Sequence, residues 1–185
     1  CSPQNVSEVS KITGENRRRA VLEAMQRHQL DRRLLAPAES INAISVGAFH
    51  SDHSGANPIG YTFDPMDGLS SISPISPIGT GYRRSVKPDL LANGGRVLCR
   101  QGVAGGTSID FVGASPYGPG VRVATAANSQ ETYISGTSPA SALVSRQAAR
   151  ICEVVDSLAE DSPLSRRQRA CAIKALLVHG TEVPS

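Results

Sequence analysis

Residues 133–155 read YISGTSPASALVSRQAARICEVV, and no other stretch restricts the fold of this chain as much. A turn-like Gly-Thr-Ser-Pro passes directly into a helical pattern whose first turns, Ala140, Ser141 and Ala142, carry almost no side chain. Ala140, Leu143, Val144, Ala148, Ile151, Val154, Val155 and Leu158 then recur at helical spacing, so one face of that helix is apolar. Pro139 suits the first helical position, where its missing N–H has no intrahelical partner to lose. The pattern therefore predicts Ser138 as the N-cap, beside exposed amides and the positive end of the helix dipole. That setting stabilises negative charge developing on an atom held near the serine, as acyl transfer requires. It equally suits a serine that does nothing but cap a helix. A second Gly-Thr-Ser, ending at Ser108, precedes the extended Ile-Asp-Phe-Val and no helix, and GVAGGTS lacks the lysine of a phosphate loop; it reads as a turn.

Around this segment, strand and helix patterns alternate, which predicts an α/β layered fold. Residues 1–12 look loose. From Gly14 a helix is expected, with Ala20, Val21, Ala24 and Met25 on one side, broken by Pro37. Ile41–Phe49 reads as a buried strand, and Ser51–Gly81, full of Gly, Pro, Ser and Asp, reads as loop. KPDLLANGG reads as a short strand closing on a turn. RVLCR and SIDFVG read as strands of an excursion, and GVRVATA as another strand. A last helix should start at a capping box of Ser165 and Gln168 and stop at Gly180.

The bulk properties exclude several classes. The 185 residues carry a net charge of +3 and 4% aromatics, and the arginine pairs lie among acids without aromatic platforms, so a nucleic-acid face is not expected. No apolar run is long enough to span a bilayer, so no membrane partner is expected. The four cysteines, Cys1, Cys99, Cys152 and Cys171, are widely spaced and form no zinc or disulfide pattern, which fits a reducing, cytoplasmic setting. His50, Asp52 and His53 cluster in FHSDHSG but lack further ligands, and read as a loop histidine pair rather than a metal site.

SGTSPASALVSRQAA resembles the nucleophile segment of subtilisin-like serine peptidases. The resemblance runs in order along the chain from about Leu34: LLAPAESINAISVGA, ISPIGTGYRRSVKPDLLANGG, PGVRVATA and KALLVHG are each similar to successive segments of that family. It implies a three-layer fold with a mostly parallel sheet, and a serine endopeptidase using Ser138 as catalytic nucleophile on a polypeptide substrate, without cofactor or metal. The family's triad runs Asp, His, Ser, and the Asp and His motifs are not found upstream of Ser138. The chain is therefore expected to be the C-terminal half of the domain, spanning 1–185, with the oxyanion-binding Asn also upstream and the piece alone inactive. His179 in HGT follows the serine and ends a helix, so it is not expected to be the base. Asn16 in TGEN opens a charged helix and is not expected to serve the oxyanion. Ala142 and Leu143 stand where many subtilisins carry Pro and His, as in a divergent bacterial branch; members of that kind are sometimes found beside ATPases, which gives an associated ATPase as an expected partner. The alternative is a catalytically inactive subtilisin fold serving as a binding or scaffold module.

Overall fold

A computed structural model describes residues 13–182 apart from 53, 56, 57, 59, 102–108 and 127–129. The loose terminus expected over 1–12, Cys1, His53 and the GVAGGTS turn lie outside the described residues. Helix and strand are mixed, as in an α/β fold. The centre is a parallel pair, β1 (Val46–Phe49) and β5 (Leu90–Asn93), in the register Val46 to Leu90 through Phe49 to Asn93. The helix α2 (Thr137–Leu158) packs across both strands. Ala48 and Leu90 on the strands and Ala140 and Val155 on the helix are buried.

Of the mostly parallel sheet expected, this pair is the parallel ladder among the described residues. The other ladders are antiparallel. β2 (Thr62–Phe63), β6 (Leu98–Gln101) and β7 (Ile109–Val112) form one sheet, so the excursion is a hairpin laid against β2. β8 (Ala114–Ser115), β10 (Glu131–Ile134) and β9 (Val121–Ala124) form another, and β3 (Gly79–Thr80) pairs with β4 (Val86–Lys87).

Three expectations about strands and loops need correction. The first strand spans Val46–Phe49 rather than Ile41–Phe49, because β5 supplies ladder partners only from Val46. β10 was not expected at all, although Thr132, Tyr133 and Ile134 are good strand formers. The serine-rich segment read as loop is a buried neighbour of β1. His50 N donates to Ser71 O at 2.7 Å, Ser73 N to Ala48 O at 2.9 Å, and Ala48 N to Ser76 Oγ at 3.1 Å. Its small hydroxyl side chains let it lie close to the strand and satisfy backbone groups that a second ladder would otherwise satisfy.

The first helix, α1 (Gly14–Arg27), forms where expected but ends well before Pro37, passing into a 3₁₀ turn over Gln29–Arg32. Its buried residue is Arg17, while Ala20, Val21, Ala24 and Met25 are only half-buried. The Arg17 guanidinium lies 3.3 Å from Asp67 Oδ1 and 5.0 Å over the Phe63 ring, so charge and ring replace an apolar seam.

The last helix, α3 (Arg166–His179), starts at the expected capping box. Ser165 Oγ accepts from Gln168 N at 3.3 Å, and Gln168 Oε1 accepts from Ser165 N at 2.9 Å. α3 packs mainly on α2 and holds no fully buried residue, so its start depends heavily on these bonds. Ser165→Ala should lower stability by about 1 kcal/mol, measured as a lower denaturant midpoint with an unchanged slope. An unchanged midpoint would show that the box carries no stability.

Candidate active site

The turn 134–138 is fixed by glycine at two points. Gly136 has φ 142° and ψ −172°, a conformation that side chains avoid, and it is buried. Its N–H donates to Gly94 O at 2.8 Å, just beyond the end of β5. Gly94 in turn has no room for a side chain: a Cβ there would sit 2.5 Å from Ala48 Cβ and 2.7 Å from Gly136 O. The end of the parallel pair and the start of α2 thus touch through backbone alone.

This geometry corrects the expected cap. Gly136, not Ser138, is the N-cap, and no side chain caps the helix. Ser138 is the second helical residue and Pro139 the third, a position that still tolerates proline because the first turn needs no N–H. Of the N–H groups left open at a helix start, that of Gly136 is taken by Gly94 O and Pro139 has none. The amides of Thr137 and Ser138 have no acceptor among the described residues and remain for an outside one. Ser138 is exposed, and among the described residues its hydroxyl has no hydrogen-bond partner. The arrangement offers a free hydroxyl, two amides and the helix dipole at one point, which suits an anion forming on an atom bonded to Ser138.

The subtilase family model (Peptidase S8) matches residues 13–183. The chain belongs to the subtilase family. Subtilases are serine peptidases, so the hydrolase class follows at the level of the family. No curated protein and no solved structure matches the chain.

Two of the described histidines, His50 and His179, occupy structural positions. His50 was read as one of a loop pair, yet it is 1% exposed at the end of β1. Its Nε2 lies 2.9 Å from Asp64 Oδ1, and its Nδ1 accepts from Val97 N at 3.3 Å. With Nδ1 accepting, the ring is the neutral Nε2–H tautomer and donates to Asp64. Neither nitrogen is left to take a proton from a serine or to hold a metal. Asp52 is committed too: Oδ2 accepts from Arg96 N at 3.2 Å and Nε at 3.1 Å, and Oδ1 from Ser54 N at 3.0 Å. The FHSDHSG cluster is therefore a structural network in its described members. His179 is exposed at the end of α3, where Gly180 is the C-cap and donates to Leu176 O at 3.0 Å. Asn16 lies in the first turn of α1, as a helix-start residue. Among the described residues no helix is long and apolar enough to cross a membrane.

The carboxylates of the network set its acid stability. Burial alone would raise the Asp64 carboxyl, but the hydrogen bonds from His50, Met66 N and Gly68 N outweigh it and hold the pKa below the ordinary value. Asp52 behaves alike, with bonds from Ser54 and Arg96 outweighing burial. Each binds its proton less readily folded than unfolded, where the pKa is about 3.9. Their contribution is therefore complete above about pH 5 and is lost as pH falls through 3.9 towards the lower folded values. Denaturant midpoints of the full-length protein should drop as pH falls below about 4. Asp64→Asn should lower the midpoint at pH 7 and flatten that drop. A wild-type midpoint unchanged at pH 3 would contradict the assignment. Burial pushes the Cys99 thiol up to about 12, which disfavours its thiolate at neutral pH.

Proposed function

We propose that this chain is the nucleophile-bearing C-terminal portion of a serine endopeptidase domain, and that Ser138 is its catalytic residue. Ser138 Oγ attacks the carbonyl of an extended polypeptide after passing its proton to a histidine, which an aspartate orients; both belong to sequence upstream. The Ser138 N–H, with an upstream asparagine, holds the oxyanion, and water then releases the acyl-enzyme. The single observation that carries this reading is an exposed, unbonded Ser138 hydroxyl in the first turn of α2, in a chain of the subtilase family. The exposure of Leu143, Val154 and Leu158 along α2 supports a domain that continues beyond these residues and covers them.

A fluorophosphonate probe on the full-length protein tests it, with the modified peptide mapped. Labelling at Ser138 is expected, and its loss in Ser138→Ala. A folded full-length protein that does not label would instead support the binding or scaffold reading. That second reading draws on His50, whose ring is fully committed to structure.

A further inference from the structure

The two segments following β1 and β5 are joined in an unusually complete way. Every amide from Gly94 to Val97 donates to residues 49–52. Gly94 N bonds Phe49 O at 3.0 Å and Gly95 N bonds Ser51 O at 3.1 Å. Arg96 N bonds Asp52 Oδ2 at 3.2 Å, and Val97 N bonds His50 Nδ1 at 3.3 Å. Two of the four acceptors are thus side chains, and both are pinned from behind: His50 by Asp64, and Asp52 by Ser54 and the Arg96 guanidinium. The far side of the same turn holds the helix start, since Gly94 O accepts from Gly136 N at 2.8 Å, two residues before Ser138.

We propose that His50 and Asp52 are positioning residues for Ser138, acting as a buried clamp on the 94–97 turn that carries Gly136. This rests on Ser138 being the nucleophile. The carbonyl of Gly94 can present itself to Gly136 in only one direction while all four amides are held. Gly136 is buried and its N–H is held by that carbonyl, so it follows the turn. A displacement of the turn is therefore passed to the Ser138 hydroxyl, and a misplacement of about 1 Å costs on the order of 10²-fold in rate. The clamp needs an acceptor at the Nδ1 position and does not need an imidazole as such.

The test uses the full-length protein, probe labelling at several probe concentrations, and hydrogen exchange. His50→Asn can keep an acceptor near the Nδ1 position, whereas His50→Gln can keep the donor towards Asp64 and loses that acceptor. His50→Gln and Asp52→Ala should lower the maximal labelling rate by roughly 10- to 100-fold with probe affinity little changed, and His50→Asn should remain close to wild type. Equal losses in Asn and Gln variants, or wild-type rates in folded Gln and Ala variants, would overturn the proposal. The unmodified protein gives a second check that no variant's folding can spoil. The amides of Gly94 to Val97 and of Gly136 should exchange as one cooperative unit; independent exchange of Gly136 would also overturn it. If the wild-type serine does not label at all, the nucleophile reading fails, and the exchange result still decides whether the clamp holds Gly136.

Discussion

Replacing Ser138 by alanine in the full-length protein should abolish peptide-bond hydrolysis and leave stability unchanged. The expected loss is roughly 10⁴-fold or more in kcat, a scale established on subtilisin, itself a subtilase. The second half of the prediction separates this protein from one in which the serine is a cap. An N-cap serine replaced by alanine costs about 1 kcal/mol. Here the cap is Gly136, Ser138 is exposed, and no hydrogen bond of its hydroxyl is lost. The change in stability should stay within about 0.5 kcal/mol. Activity assays and denaturant unfolding on the same preparation check both halves. Retained activity would remove Ser138 as nucleophile, and a loss of 1 kcal/mol with no activity to lose would make it a structural residue.

Gly94→Ala should be the most damaging single methyl addition at the site. The new Cβ would stand 2.5 Å from Ala48 Cβ and 2.7 Å from the Gly136 carbonyl oxygen. Neither neighbour is the movable end of a long side chain. Ala48 belongs to β1, and the Gly136 carbonyl opens the helix that carries Ser138. Relief requires the strand and the helix start to separate, at a cost of about 3 kcal/mol, with the hydrogen bond from Gly136 N weakened as well. Unfolding should therefore occur at lower denaturant, and labelling at Ser138 should fall in the fraction that remains folded. Adding Ala48→Gly to Gly94→Ala removes one of the two collisions and should restore only part of the stability. Full restoration would show that the Gly136 carbonyl is not a constraint.

How much of this was legible in the sequence depends on the range of the interaction. The capping box of Ser165 and Gln168 is four residues long, and it appears as read. α2 and α3 carry their own apolar periodicity, and their limits agree closely with it. Of the excursion's two strands, β7 carries Ile109, Phe111 and Val112 and is legible from them. β10 was missed because its short run merges into the turn before Gly136, and its partners, β8 and β9, lie outside its own sequence. The serine-rich 71–76 segment looks like loop by composition, since composition carries no sign that β1 runs alongside it.

The sequence by itself determined the family, the two later helices and the candidate nucleophile, because a collinear series of motifs and a helix start are local or ordered along the chain. Tertiary structure alone decided that Gly136 and not Ser138 caps the helix, since the choice turns on a hydrogen bond to Gly94, 42 residues away (136 minus 94). It likewise decided that His50 is a buried, neutral, doubly bonded ring and not a loop histidine. Asp64 and the Val97 amide are the groups that fix its tautomer, and nothing in FHSDHSG points to either. A side chain's chemistry is written in its sequence, but its protonation and freedom are set by whichever distant groups the fold brings within hydrogen-bond reach.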